Sequence, residues 1–143
     1  MDKKLIRNAL SNLKNLTVKN GIPRTHEHDY NCWGFTANYL GWTAHLMWLY
    51  PDHMEKMLKL HSRAVRKPRV GDIVVFRDSE QYLGHTAIIS ELSPEPLKNQ
   101  LIHKPAWFEL EVTTETDCMN KWVGFGKVTQ YRRPIRKKRQ KSA

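Results

Sequence analysis

The order of local patterns along these 143 residues predicts an α+β fold, with helices gathered in the first half and strands in the second. Before position 68 apolar residues recur at helical spacing. From Val70 onward the chain changes to short β-branched and aromatic runs, and no internal repeat interrupts the sequence. The expected architecture is a set of N-terminal helices packed on a five-stranded antiparallel sheet or open barrel.

Each element follows from its own residues. Leu5, Ile6, Ala9, Leu10, Leu13 and Leu16 lie at helical spacing with Lys and Asn between them, and Gly21-Ile22-Pro23 follows as a stop, which predicts a surface amphipathic helix. The stretch IPRTHEHDY, with its proline and charges, suits a loop. Asp29 or Asn31 can then cap a helix running to about Leu40, apolar on more than one side through Trp33, Phe35, Ala37, Tyr39 and Leu40, hence mostly buried. After Pro51-Asp52, HMEKMLKLHSRA sets Met54, Met57, Leu58 and His61 on one face of a third helix ended by Pro68. The five predicted strands are GDIVVFR, HTAIIS, QLIHK, FELEVT and KVTQYRR, separated by turn-rich segments.

The size suits one globular core. Residues 1–21 are assigned to the amphipathic helix, 22–131 to the core and 132–143 to a basic, disordered tail. That tail holds Arg132, Arg133, Arg136, Lys137, Lys138, Arg139 and Lys141, seven cations of a chain whose net charge is +10, so residues 1–131 carry only +3. A balanced body argues against a nucleic-acid-binding fold as such. The tail is expected either to be solvated or to contact an anionic polymer.

Two cysteines, Cys32 and Cys118, make no disulfide framework and have no metal-ligand spacing, which fits a reducing compartment. The N-terminus carries cations but no apolar run of roughly 7–15 residues, as a secretory signal needs, and no segment approaches a membrane span of about 20 apolar residues. A cytoplasmic, monomeric protein is expected. His26, Glu27, His28 and Asp29 lack the helical spacing of a metalloprotease site and read as solvated loop, so neither metal nor cofactor is expected.

Cys32, in NCWGF, stands at the predicted start of a helix. Unpaired N–H groups and the helix dipole there favour a thiolate, so a Cys32 pKa below the free value of about 8.5 is expected. Acyl transfer would also need an imidazole within hydrogen-bond reach and a third group to orient it. His85, opening HTAIIS after a glycine, and His103, near the end of QLIHK, can meet if those strands are adjacent. The residues alone leave a second reading open, because free cysteine is among the most buried residue types. Cys118, with no base beside it in sequence, reads as structural.

NCWGF, VGDIVVF, GHTAIIS and LIHK, in this order, resemble the NlpC/P60 superfamily of papain-like cysteine peptidases over roughly residues 28–133, and the closing KVTQYRR is similar to its last core strand. The related CHAP amidases share the cysteine helix and the Gly-His strand opening; His103 is the feature closer to NlpC/P60 proper. The resemblance implies that Cys32 attacks an amide carbonyl, His85 moves the proton and His103 holds the His85 tautomer. Asn31 and Trp33 flank Cys32 where the family usually has Asp and Ser, and Asn20 stands where an upstream tyrosine is usual. Tyr30 is the nearby candidate for oxyanion support, with Trp33 and Trp107 as groove walls. The implied function is hydrolysis of an amide or peptide bond, with bacterial peptidoglycan stem peptide as the leading substrate. Release by lysis, in a phage particle or through a secretion system would take such an enzyme to the wall. The alternatives are a cytoplasmic thiol protease or acyltransferase acting on a host protein or lipid, and a non-catalytic fold whose basic tail binds nucleic acid.

Overall fold

The computed structural model describes residues 3–13, 30–105 and 109–135. The elements run α1 (Lys3–Asn12), α2 (Cys32–Tyr39), α3 (Pro51–His61), β1 (Ser62–Val65), β2 (Ile73–Arg77), β3 (Leu83–Glu91), β4 (Gln100–His103), β5 (Glu111–Thr114), α4 (Glu115–Lys121), a 3-10 turn (Val123–Phe125) and β6 (Val128–Pro134). The strands form one antiparallel sheet in the order β1-β6-β2-β3-β4-β5. This is the expected α+β class. The sheet is open, and it has six strands where five were predicted.

The additional strand is β1. Its residues, Ser62 to Val65, continue the apolar spacing of the third helix, and only tertiary pairing removes them from it. Ser62 pairs with Pro134 and Val65 with Tyr131 on the returning β6, and Arg132 donates from Nε to Ser62 Oγ at 2.7 Å. The same pairing carries β6 to Pro134, so Arg132 and Arg133 are sheet residues rather than the first two of a disordered tail. Residues 136–143 of that tail, like His26, His28 and Trp107, lie outside the described residues.

Both faces of the sheet are covered. On one, Ile6, Ala9 and Leu13 of the N-terminal segment join Tyr30, Phe35, Tyr39, Ile88 and Ile102; the predicted surface helix thus puts its apolar stripe into the core. Beside them Ala37, Met54 and Leu58 pack on Ile73 and Val75. The opposite face carries Val74, Phe76, Ala87, Ile89 and Leu101 under Cys118, with Met119, Trp122 and Phe125 against them. Strands buried on both sides read as continuous apolar runs, as IVVF does. No helix among the described residues is long and apolar enough to cross a membrane.

Two short motifs explain themselves through packing. In VGDIVVF, Gly71 takes φ +94°, and the buried Asp72 receives the Arg133 guanidinium from Nε and a terminal nitrogen, both at 3.0 Å. The arginine that ends the last strand is thereby tied to the start of β2. In NCWGF, Asn31 caps α2 by accepting from Gly34 N at 3.0 Å and from Leu49 N at 3.2 Å, while its amide donates to Leu49 O at 2.8 Å. An aspartate could make the first two bonds but not the third. Gly34 lies under the same loop, where an added Cβ would fall 1.7 Å from Met47 O. Gly34→Ala must therefore push the loop off the helix, and a loss of at least about 3 kcal/mol is expected. Denaturant unfolding checks this, and a midpoint within error of wild type would refute it.

Candidate active site

The start of β3 is where the site assembles. Alternation along the strand sends Thr86 and Ile88 toward the helices and His85 and Ala87 toward α4. On the helix side, Thr86 Oγ1 meets Thr36 Oγ1 of α2 at 2.9 Å. This seats α2 against β3, and Thr86 Oγ1 also reaches Cys32 O at 3.5 Å, one residue along the strand from His85.

Gly84 has a steric purpose. A Cβ there would stand 2.0 Å from Phe125 O, so only glycine lets the 3-10 turn lie on the strand. Phe125 then stacks on the His85 ring, with centroids 3.8 Å apart and planes at 4°, while Phe76 flanks the ring at 5.6 Å. The imidazole is fully buried and fixed in plane.

His103 meets it edge-on. His85 Nε2 and His103 Nδ1 are 2.7 Å apart, the contact expected from two histidines on adjacent antiparallel strands. The structure extends the chain by one member that the motif did not include. His103 pairs with Glu111 in the β4–β5 register, and its Nε2 lies 3.1 Å from Glu111 Oε1. Lys121 Nζ donates to Glu111 Oε2 at 2.7 Å, and Trp122 Nε1 to Oε1 at 3.4 Å. The His103 hydrogen bond is the largest influence on Glu111 and, with Lys121 and Trp122, holds its pKa down at about 2 despite burial.

Proton positions follow from this network. An ionised Glu111 can only accept, so His103 carries a proton on Nε2. Burial pushes the His103 pKa down, with Glu111 opposing; the ring is neutral and Nδ1 is a bare lone pair. The 2.7 Å contact then requires His85 Nε2 to donate. His85, whose pKa burial and then the neighbouring His103 push well below the usual value, is left with a bare Nδ1. That atom is buried and has no hydrogen-bond partner.

Cys32 opens α2 and is nearly buried, at 6 % exposure. Burial pushes its thiol up to about 12, outweighing the backbone N–H groups of Thr86, Trp33 and Cys32 itself and the charge of Lys104. The thiolate expected from the helix N-terminus is therefore corrected to a neutral thiol, because desolvation exceeds the help of the N–H donors. The structure brings His85 and His103 together, whereas Cys32 is placed against Thr86, whose side chain leaves β3 on the opposite face from His85, and no hydrogen bond joins Cys32 Sγ to His85 among the described residues. Catalytic hydrogen bonds are commonly long before substrate binds.

The other candidates divide. Tyr30 is fully buried in the helix-side core, with Lys104 Nζ 4.5 Å over its ring and bonded to its carbonyl at 3.2 Å, which makes packing its evident role. Trp33 packs with the α3 cluster, its indole nitrogen buried without a partner. Cys118 lies in α4, and its sulfur is 4.0 Å from His103 Nδ1. Glu111, Phe125 and Lys104 escaped sequence reasoning. For Glu111 alone a signal existed, an acid in a strand-like run that could pair with LIHK.

The buried histidines fix the sign of the pH response. Both folded-state pKa values are depressed, so their stabilising contribution is complete above the unfolded value of about 6.5 and is lost as pH falls below it. Denaturation midpoints should be flat above pH 7 and drop between pH 6.5 and 5, and a midpoint unchanged at pH 5 would contradict the neutral, buried pair.

A family model described as the CHAP domain matches residues 23–101, which is 79 of the 143 residues. This span takes in Cys32 and His85 and ends two residues before His103. No curated protein and no solved structure matches the chain.

Proposed function

Since the chain belongs to the CHAP domain family, whose members are in general amidases and peptidases linked to peptidoglycan, we propose that it is a cysteine hydrolase cleaving an amide or peptide bond in peptidoglycan stem peptides. The observation that carries this reading is the chain Glu111–His103–His85, which ends in a bare, buried Nδ1 one residue from the stretch of β3 that Cys32 abuts.

In this reading His85 Nδ1 takes the thiol proton as Cys32 Sγ adds to the carbonyl carbon. The oxyanion forms near the N–H groups at the start of α2, which can receive it. His85 then gives the proton to the leaving amine, and a thioester remains on Cys32. Water, deprotonated by the same Nδ1, releases the acid and restores the thiol. His103 and Glu111 stabilise the transient imidazolium, so the carboxylate that a Cys–His–His triad lacks is supplied one position further out.

Digestion of purified peptidoglycan with mass analysis of the soluble products tests the proposal. The expected result is fragments that differ by cleavage of one stem-peptide or amide linkage, with one new amine and one new carboxylate formed per bond cut. Intact peptidoglycan under conditions in which a control amidase digests it would reject the substrate.

A further inference from the structure

We propose that His85, His103 and Cys118 form a binding site for one zinc ion, and that loading it switches off the His85 base. Both parts concern the site just described, and the second rests on the hydrolase reading. One ring nitrogen each of His85 and His103 and the sulfur of Cys118 lie within 4.8 Å of one another, and all three residues are fully buried. They come from β3, β4 and α4, so no local spacing in the sequence announces them.

The geometry is close to what zinc asks. With Zn–N near 2.0–2.1 Å, Zn–S near 2.3 Å and tetrahedral angles, the two nitrogens should stand about 3.3 Å apart and nitrogen and sulfur about 3.6 Å. The contacts are 2.7 Å between the rings and 4.0 Å between Cys118 Sγ and His103 Nδ1. Shifts of roughly half an ångström reconcile these two contacts, and His85 and Cys118, within 4.8 Å of each other, close to about 3.6 Å around the ion, with a fourth position for water. The outer contacts fit as well. A histidine that ligates a metal commonly gives its other N–H to a carboxylate, and His103 Nε2 already faces Glu111 at 3.1 Å. Two imidazoles and a thiolate form a donor set that suits zinc better than magnesium or calcium.

Protons account for the switch. Zinc takes the His85 Nε2 lone pair, so the proton there transfers through solvent to Nδ1. His103 Nδ1 is already bare. Cys118 loses its thiol proton, and one H⁺ leaves per zinc bound. His85 Nδ1–H can no longer accept the proton of Cys32, so the loaded enzyme lacks its base.

Cobalt(II) titration of the tag-free chain reads the site without reference to activity. The expected result is one equivalent bound with a near-ultraviolet sulfur-to-cobalt charge-transfer band, kept in Cys32→Ala and lost in Cys118→Ser. Zinc-edge X-ray absorption of the wild-type chain, which needs no variant to fold, should show one sulfur and two imidazole nitrogens. Cobalt without the band, a band lost in Cys32→Ala, or zinc with only oxygen and nitrogen neighbours would overturn the site. For the switch, zinc should inhibit peptidoglycan cleavage, and Cys118→Ser should raise the half-inhibiting zinc concentration at least about 10-fold. Equal zinc sensitivity in wild type and Cys118→Ser would overturn it. A cobalt band in a chain that cleaves no peptidoglycan would leave the metal site standing and reject the hydrolase reading.

Discussion

Cys32→Ser is expected to lower peptidoglycan cleavage by at least about 10⁴-fold while the protein stays folded, because losing a nucleophile removes the covalent route and leaves only binding and the oxyanion donors. Serine occupies less space than cysteine and leaves the α2 cap intact, since Asn31 and not Cys32 makes the capping bonds. Far-ultraviolet circular dichroism and an unfolding midpoint close to wild type should accompany the lost activity. The control is Cys118→Ser. Both thiols are pushed up to about 12, chiefly by burial, so neither announces itself by acidity. Cys118 Sγ lies 4.0 Å from His103 Nδ1, whereas no hydrogen bond joins Cys32 Sγ to His85 among the described residues. Activity that survives Cys32→Ser and disappears in Cys118→Ser would exchange the two roles and end the present mechanism.

Glu111→Gln should cost about 10²-fold in turnover, with little change in KM. A glutamine amide can donate to His103 Nε2, which drives the His103 proton onto Nδ1. His85 Nε2 must then accept, and the His85 proton moves to Nδ1, where the base is needed. Loss of an orienting carboxylate beside the base itself can cost about 10⁴-fold in a serine protease; acting through a second ring, the effect should be smaller. Glu111→Asp keeps an acceptor of the same charge and should recover part of the rate. Glu111→Gln also leaves Lys121 and Trp122 one acceptor oxygen where they now have two, so some stability is lost whatever the mechanism. The pH profile separates the two effects. A tautomer lock predicts a changed acid limb of kcat/KM in Glu111→Gln, whereas a purely structural role predicts a lower melting temperature with an unshifted profile.

The site was legible to different depths at different residues. Cys32 and His85 could be found because each sits in a local pattern with a steric cause: Gly34 makes room for Met47 O, and Gly84 makes room for Phe125 O. Motifs of this kind are packing constraints written in adjacent residues. Glu111 and Phe125 could not be found the same way. Their positions depend on strand register and on a turn folded back over β3, which involve residues 26 and 40 positions from His85.

The amino-acid sequence by itself determined the α+β class and five of the six strands, narrowed the α2 cap to Asp29 or Asn31, and allowed His85 and His103 to meet if their strands were adjacent. All of these follow from periodicity and short-range sterics, which adjacent residues encode. Tertiary structure alone decided that Ser62–Val65 leaves the helix for the sheet edge, since pairing with β6 satisfies backbone groups that a longer helix would satisfy otherwise. It also decided the charge state of the site. A helix N-terminus favours a thiolate, but how far burial opposes it depends on everything packed around the sulfur, and here desolvation leaves Cys32 a neutral thiol and His85 a neutral imidazole.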